Sequence, residues 1–332
     1  MPETCPVSVA PMMDWTDRHC RYFLRQVAPR VRLYTEMIAT AALLHGDRER
    51  LLAYHPAEHP LAVQLGGSEP AELARCARWA EQAGYDEVNL NVGCPSDRVQ
   101  SGRFGACLML EPERVADCVR AMREAVTVPV TVKCRTGVDA QDSYAALAGF
   151  AAGLVDAGLS QLTVHARKAW LQGLSPKQNR DIPPLHYEWV YRLKRDFPRL
   201  PIAVNGGITS AGEVAGHLQQ VDGVMLGRAA YHDPWVLVAV TSLFEPAASR
   251  LTRHQVARAM LPYIDEAMQE GVRLQQIVRH MLGLFQGQPG AKAWRRYLSE
   301  HAHRAGAGSE VLEQALARVP ETDVAPVAVS EG

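Results

Sequence analysis

The chain has 332 residues, 47% of them hydrophobic, and a formal net charge of -1. This length favours one large domain with a small appendix. The near-neutral charge excludes a whole-molecule field that attracts nucleic acid or membranes, so any basic surface must be local. No apolar run approaches the roughly 20 residues that a membrane span needs.

The seven cysteines are an odd number, and no two of them form a CxxC pair. The amino end does not resemble a secretory signal peptide. Both observations favour a reducing compartment, so we expect a cytoplasmic protein.

Short β-rich runs alternate with helical stretches over the first two thirds of the chain. Apolar residues at helical spacing predict helices over 69–82, 112–125 and 143–157. Eight such units in roughly 240 residues are typical of an α/β fold of the (β/α)8 TIM-barrel type, and less so of an open doubly wound sheet. The predicted strands span 7–12, 32–37, 61–65, 87–92, 130–134, 162–165, 202–205 and 223–226.

The strand pattern stops after Leu243, and 252–318 predicts about four helices separated by glycine-rich turns. From Arg250 to Arg304, nine Lys or Arg residues against four acids give a net charge of +5. The last dozen residues are acidic and predict disorder. We expect a barrel over 1–245, a C-terminal all-helical domain over 246–320 and a disordered tail over 321–332.

Polar and small residues cluster where the predicted strands end, at the edge that forms the active-site face of such barrels. The fourth strand runs into Gly93-Cys94-Pro95-Ser96, a turn that presents a thiol. A buried free cysteine is the commoner fate of this residue type, so Cys94 by itself does not establish a site.

Glycines follow the last two predicted strands, in Asn205-Gly206-Gly207 and Gly227-Arg228. Barrel enzymes often bind a phosphate there through backbone N–H groups. Either motif alone is compatible with simple turn geometry, but the two together favour a phosphate-bearing ligand.

Three further polar residues end predicted strands: Gln64, Lys133 and His165. A flavin mononucleotide needs a cation near the pyrimidine end of its ring and amide groups at its carbonyls, which Lys133 and Gln64 can supply. His165 stands in no HxH or HExxH pattern, and the sequence has no GxGxxG pattern. We therefore expect no metal, and a nicotinamide that docks only transiently.

In these motifs the chain resembles the tRNA-dihydrouridine synthase family, in particular its bacterial A-type branch. The helical appendix separates it from other flavin barrels. The resemblance extends to about residue 305, and the matching stretches begin at Ala10, Glu36, Val63, Asn89, Val132, His165, Val204, Leu226, Phe285 and Trp294.

The resemblance implies an FMN enzyme that uses NADPH to reduce the C5–C6 double bond of uridines 20 and 20a in the tRNA D-loop. A hydride from reduced FMN would reach C6, and Cys94, as the catalytic acid, would give a proton to C5. A free thiol is mostly protonated at neutral pH and suits this role. The residues implied to hold FMN are Pro11, Met12, Met13, Gln64, Lys133, His165, Asn205, Gly206, Gly207, Gly227 and Arg228.

A uridine has to leave the tRNA stack to reach a flavin, so the enzyme needs contacts that hold the RNA open. The basic helical domain and the long insertion after the sixth strand answer this need, and a motif match adds Asn91. We expect a monomer that binds tRNA and NADPH. The candidate tRNA-binding residues are Asn91, Arg167, Lys168, Lys177, Arg180, Lys292, Arg295 and Arg296.

Two other functions stay open from the residues alone. An FMN barrel that acts on a small pyrimidine or an enoate would keep the flavin motifs, but would leave the basic helices without a role. A tRNA-binding or chaperoning protein would need neither Cys94 nor Lys133. The barrel fold itself does not decide, because it hosts many reactions.

Overall fold

A computed structural model describes residues 5–245 and 250–321. The protein forms two compact units. The first comprises 1–14, 32–208 and 212–227, and the second comprises 15–31, 209–211 and 228–332. The predicted domain boundary meets residues 246–249, which lie outside the described residues, as does the predicted disordered tail beyond Glu321.

The first unit contains eight strands, all paired in parallel. They are β1 (Val7–Val9), β2 (Leu33–Ala39), β3 (Leu61–Gly66), β4 (Glu87–Val92), β5 (Val130–Arg135), β6 (Gln161–His165), β7 (Ile202–Asn205) and β8 (Gly223–Leu226).

Their order is β1-β8-β7-β6-β5-β4-β3-β2. The ring closes beside β1, where the Val9 N–H donates to the Arg32 carbonyl at 2.9 Å. The predicted (β/α)8 barrel with a helical C-terminal region is therefore confirmed. β1 ends three residues before the predicted limit of residue 12, because Pro11 has no N–H to continue a ladder.

The helices of the barrel agree with the prediction where one was made. Pro70 and Pro112 stand in the first turns of α4 and α6, and Ser143 caps α7 by accepting from the Ala146 N–H. The described α-helices up to β8 are α1 (Arg18–Val27), α2 (Thr40–His45), α3 (Arg48–Leu51), α4 (Pro70–Gln82), α5 (Asp97–Ser101), α6 (Pro112–Ala125), α7 (Tyr144–Asp156), α8 (Tyr187–Asp196) and α9 (Ala211–Leu218).

The second unit is helical and includes α1 together with the helices after β8. Its core holds the fully buried Trp294, whose indole N–H donates to the Met281 carbonyl at 3.1 Å. The later helices are α10 (Arg228–His232), α11 (Val236–Thr241), α12 (Arg253–Ala259), α13 (Leu261–Gln269), α14 (Leu274–Val278), α15 (Ala291–His301) and α16 (Glu310–Leu316).

The predicted helical stretch over 252–318 therefore holds five α-helices, not four, within the described residues. The additional break falls at Met260, between α12 and α13. Pro262 stands in the first turn of α13 and cannot continue the preceding helix. Among the described residues, no helix combines the length and hydrophobicity that a membrane crossing demands.

The barrel interior is polar. Tyr34 on β2 donates to Glu87 Oε1 on β4 at 2.7 Å although β3 lies between these strands. Lys133 on β5 likewise bonds to Asn205 on β7 across β6. Bonds between strands that are not neighbours must cross the interior, so these side chains point inward. The alternate residues, such as Val88 and Leu90, face the surrounding helices and are fully buried.

Glu87 is only 3% exposed and accepts hydrogen bonds from Arg32, Tyr34 and Thr131. We predict that Glu87→Ala lowers the free energy of unfolding by roughly 3–5 kcal/mol, because it leaves the Arg32 guanidinium without its carboxylate. Urea denaturation followed by circular dichroism measures this. Glu113→Ala, on the exposed face of α6, is the control and should change stability by less than about 0.5 kcal/mol. Equal midpoints for the two variants would contradict the prediction.

Candidate active site

A continuous set of hydrogen bonds leads from Glu87 to the carboxyl end of the barrel. Thr131 Oγ1 donates to Glu87, and Asn89 Nδ2 donates to Thr131 Oγ1 at 2.8 Å. Gln64 Nε2 then donates to Asn89 Oδ1 at 2.8 Å. Because each amide is bonded at both ends, its orientation is determined. We call this set the interior network: Tyr34, Gln64, Glu87, Asn89, Asn91 and Thr131.

Asn91 joins the interior network to the turn that carries Cys94. Its Nδ2 donates to Gln64 Oε1 at 2.8 Å, while its Oδ1 accepts from the backbone N–H groups of Gly93 and Cys94 at 3.1 and 3.0 Å. The Cys94 carbonyl accepts from the Ala106 N–H at 2.8 Å. The thiol of Cys94 is half-buried. The structure therefore holds the backbone of this cysteine while part of its side chain reaches solvent.

Arg135 fixes the same turn from the other side. Its Nε donates to the Gly93 carbonyl at 2.8 Å, and its Nη1 donates to the carbonyls of Lys168 and Asn179. The side chain is 3% exposed, and burial lowers its pKa to about 10. Arg135 thus ties residues 93–96 to the insertion over 166–186.

Lys133 lies at the end of β5 as predicted. Its Nζ donates to Asn205 Oδ1 at 3.0 Å, and Asn205 Nδ2 in turn donates to the Met225 carbonyl. Burial, with a smaller contribution from Arg135, lowers the pKa of Lys133 to about 8. Among the described residues, no carboxylate offsets this effect. Lys133 therefore suits a ligand that brings negative charge.

His165 ends β6 on the same rim. Burial holds its pKa well below the usual value, and the nearby cations Arg135, Lys133, Arg167 and Arg180 lower it further. The imidazole is therefore neutral at physiological pH and can accept a hydrogen bond at one nitrogen. Among the described residues, no group of three or more His, Cys, Asp or Glu side chains is placed to hold a metal.

The glycines after β7 and β8 differ in their surroundings, since a Cβ at Gly206 or Gly207 would lie 2.8 Å from the side chain of His165 or Leu185. Gly206 and Gly207 have φ values of 115° and 72°, which L residues rarely adopt. A Cβ at Gly227 would meet no atom within 4 Å, so the backbone there faces open space. This open backbone and the uncompensated Lys133 fit a phosphate-bearing flavin.

The loop after β1 carries three of the residues predicted to hold FMN, which differ in burial. Met12 packs against the buried cluster of Ala10, Tyr34, Ala62 and Met225. Pro11 is half-buried, and Met13 is 53% exposed. Arg228 begins α10 and belongs to the second unit. Its role as a flavin ligand stays a prediction.

The basic residues of the insertion differ in their surroundings. Arg167 donates to the Pro183 carbonyl, and Lys168 forms an ion pair with Asp142 at 2.8 Å. Lys177 is exposed and Arg180 is half-buried. These bonds lie within the protein, so the tRNA contacts of these four residues and of Asn91 stay predictions.

In the second unit, three predicted RNA contacts lie on α15. Arg295 and Arg296 follow Lys292 by three and four residues, which puts all three on one face of the helix. Lys292 and Arg296 are exposed; Arg296 pairs with Glu300, and Arg295 donates to Gln286 Oε1.

Arg135, Asn89 and Glu87 were not among the residues predicted to be functional. The alternation of side chains along a strand could have indicated them. Residues 87, 89 and 91 place polar side chains on one face of a buried strand, and Arg135, two residues after Lys133, lies on the same face of its strand as Lys133. What the pattern cannot show is the partner of each polar group.

Comparison with known proteins agrees with the geometry of the site. The model of the dihydrouridine synthase family matches residues 8–320, which is nearly the whole chain. The chain belongs to the dihydrouridine synthase family.

Several relatives named as dihydrouridine synthases cover nearly the whole length of the chain. The tRNA-dihydrouridine(20/20a) synthase of Vibrio cholerae is 57% identical over 96% of this chain and 98% of its own. The enzymes of that name from Shewanella oneidensis and Salmonella typhimurium are 59% and 58% identical, over 96% and 95% of this chain and 94% and 95% of their own.

A solved structure of a 2-naphthoyl-CoA reductase with 2-naphthoyl-CoA has a TM-score of 0.56 at 10% identity. It covers 74% of this chain, which spans 50% of that protein. This likeness supports the fold alone.

Gly105 allows the Cys94 turn to pack closely. A Cβ there would lie 2.5 Å from the Cys94 carbonyl oxygen and 2.4 Å from Val99. We predict that Gly105→Ala displaces the turn and speeds alkylation of Cys94 by iodoacetamide severalfold, as measured by mass spectrometry. Gly173→Ala is the matched control: Gly173 has a similar φ of 82° but no atom within 4 Å of an added Cβ. Equal alkylation rates in both variants would contradict the prediction.

Proposed function

We propose that this protein reduces uridine to 5,6-dihydrouridine in the D-loop of tRNA, at positions 20 and 20a, with FMN as cofactor and NADPH as electron donor. The observation that carries the proposal is the Cys94 turn, held by Asn91 and Arg135 at the mouth of a barrel whose rim bears Lys133 and His165. The names of the full-length relatives support tRNA as the substrate and support these two positions.

FMN would be held by residues of the barrel rim. Gln64 presents an amide whose orientation the interior network determines, and Lys133 presents an ammonium with no carboxylate beside it. The N–H groups at Gly206, Gly207 and Gly227 suit phosphate oxygens. Pro11, Met12, Met13, His165, Asn205 and Arg228 complete the proposed set.

When bound, FMN would supply the hydride for C6 of the uridine. The proton for C5 comes from Cys94 Sγ. Asn91 and Arg135 hold the backbone on both sides of this thiol, so its approach to a base in the barrel mouth is largely determined in advance. Lys133 stabilises the negative charge that reduction leaves on the cofactor.

The tRNA would contact two basic regions, one on each unit. In the barrel these are Lys168, Lys177, Arg167 and Arg180 on the insertion, with Asn91 nearest the target nucleotide. In the helical unit they are Lys292, Arg295 and Arg296 on α15. We further propose that the protein acts as a monomer in the cytoplasm, where its substrate tRNA is found.

The decisive test follows the flavin spectrum. We expect purified protein to be yellow, to bleach with NADPH, and to recover colour without oxygen when tRNA lacking dihydrouridine is added. Cys94→Ala should keep bound FMN and its reduction by NADPH, but reduce uridine at least 100-fold more slowly, because the proton donor is lost. Mass spectrometry of digested tRNA gives the product and its position.

Cys107→Ala is the matched control, because Cys107 is also half-buried and follows the same turn. It should form dihydrouridine at nearly the wild-type rate. If Cys94→Ala were as active as Cys107→Ala, Cys94 would not be the acid. Recovery of colour with free uridine but not with tRNA would favour a small-molecule reductase, and a protein that cannot bind FMN would favour an RNA-binding protein.

Lys133 gives a prediction about reduction potential. Its ammonium favours the negatively charged reduced cofactor, so Lys133→Met should lower the midpoint potential of bound FMN by about 30 mV or more at pH 7, equivalent to roughly 1.4 kcal/mol. The free-protein pKa of Lys133 is about 8, so the ammonium is present below pH 8. A bound anion raises this pKa further, so the difference between wild type and variant should be full near pH 6–7 and should shrink only as pH rises above about 8. Spectroelectrochemistry measures it.

Lys194→Met is the control, because Lys194 lies on α8 and pairs with Asp222 outside the barrel mouth. Its potential should equal that of wild type at every pH. A difference between wild type and Lys133→Met that did not change with pH would mean that the lysine charge is not responsible.

A further inference from the structure

Trp170 is a large aromatic residue that is partly exposed to solvent. It lies in the insertion over 166–186 and is 38% exposed. The backbone N–H of Trp170 donates to Asn179 Oδ1 at 2.8 Å, and Asn179 Nδ2 donates to the Trp170 carbonyl at 2.9 Å. Asn179 is fully buried. The backbone of Trp170 is therefore rigid, and its exposure does not result from a loose loop.

The ring of Trp170 is also held through one of its faces. Lys168 Nζ lies 4.2 Å from the ring centroid, and the same ammonium pairs with Asp142 at 2.8 Å. A cation in this position fixes the orientation of an aromatic ring. Exposed Trp side chains on rigid segments are typical of binding hot spots, since little entropy is lost when they are covered.

Trp170 is linked to the Cys94 turn on both sides. Gln100 Nε2 donates to the carbonyls of Pro95 and Leu171, each at 2.9 Å. Arg135 bonds to the carbonyls of Gly93 and Lys168. The residues that flank Cys94 and those that flank Trp170 thus bond to the same two side chains, which holds the backbone around Trp170 next to the Cys94 turn.

We propose that Trp170 is a stacking site for a nucleobase next to the target uridine of the tRNA. This inference rests on the proposed function. When a uridine leaves the stack, a neighbouring base loses a stacking surface, and an aromatic ring beside the active site replaces it. Lys177 and Arg180 on the same insertion add positive charge that would attract the phosphates of that nucleotide.

The first test compares variants of Trp170 in the full-length holoenzyme. Trp170→Ala should raise the Kd for unmodified tRNA about tenfold, and Trp170→Leu should do the same, because a leucine has no ring to stack. Trp170→Phe should stay within about threefold of wild type. Trp79→Ala is the matched control, since Trp79 also lies under a cation, Arg48 at 4.4 Å, but on α4 outside the barrel. It should bind tRNA as wild type does.

The second test identifies the base. Transcripts abasic at one or the other nucleotide beside the target uridine are bound to wild type and to Trp170→Ala. One abasic transcript should bind wild type about tenfold more weakly and should bind Trp170→Ala no more weakly than the intact transcript does. Equal losses in both proteins, or equal Kd values for Trp170→Ala and wild type, would overturn the proposal.

The two proposals fail in different ways. If wild type makes no dihydrouridine, the proposed function fails. If wild type makes it, and Trp170→Leu binds tRNA like Trp170→Phe, only the stacking site is wrong. FMN content and NADPH-dependent bleaching should be unchanged in all Trp170 variants, which excludes a folding defect as the cause of weak tRNA binding.

Discussion

The buried carboxylate of Glu87 is the constraint on which the candidate active site depends. An ionised group only 3% exposed must be paired, and the protein pairs it with Arg32, Tyr34 and Thr131. Each donor then needs its own partner, so the hydrogen bonds continue through Asn89 and Gln64 to Asn91. They end on the N–H groups of the Cys94 turn, which connects the stability of the barrel with the position of the thiol.

A second feature is the excess of positive charge at the barrel mouth. Arg135 is buried and Lys133 is half-buried, both with lowered pKa values, and Arg167 and Arg180 add to the field that keeps His165 neutral. Among the described residues, no carboxylate offsets the burial of the Lys133 ammonium, and this burial costs free energy. An anionic ligand removes that cost, so the same arrangement favours binding of a phosphate-bearing cofactor and of RNA. Such sites commonly combine perturbed pKa values with a specific ligand.

Much of this could be predicted from the sequence, and the reasons differ from element to element. The eight strands were found because alternation and Gly or Pro punctuation are local signals, and the helices at 112–125 and 143–157 because their caps and apolar spacing are local too. The helix break at Met260 was missed, although Pro262 marks it. Cys94, Lys133 and Asn205 were placed at strand ends, where the fold brings them to one edge.

The sequence by itself therefore determined the barrel, the order of its rim residues and the family resemblance, since these depend on local periodicity and on motifs. Only the tertiary structure decided that Asn91 holds the Cys94 turn, that Arg135 ties this turn to the insertion, and that Trp170 stands beside it in solvent. The physical reason is that a hydrogen bond depends on distance and angle between groups far apart in the chain. Arg135 and Asn179 are 44 positions apart in the sequence and meet only in the folded chain.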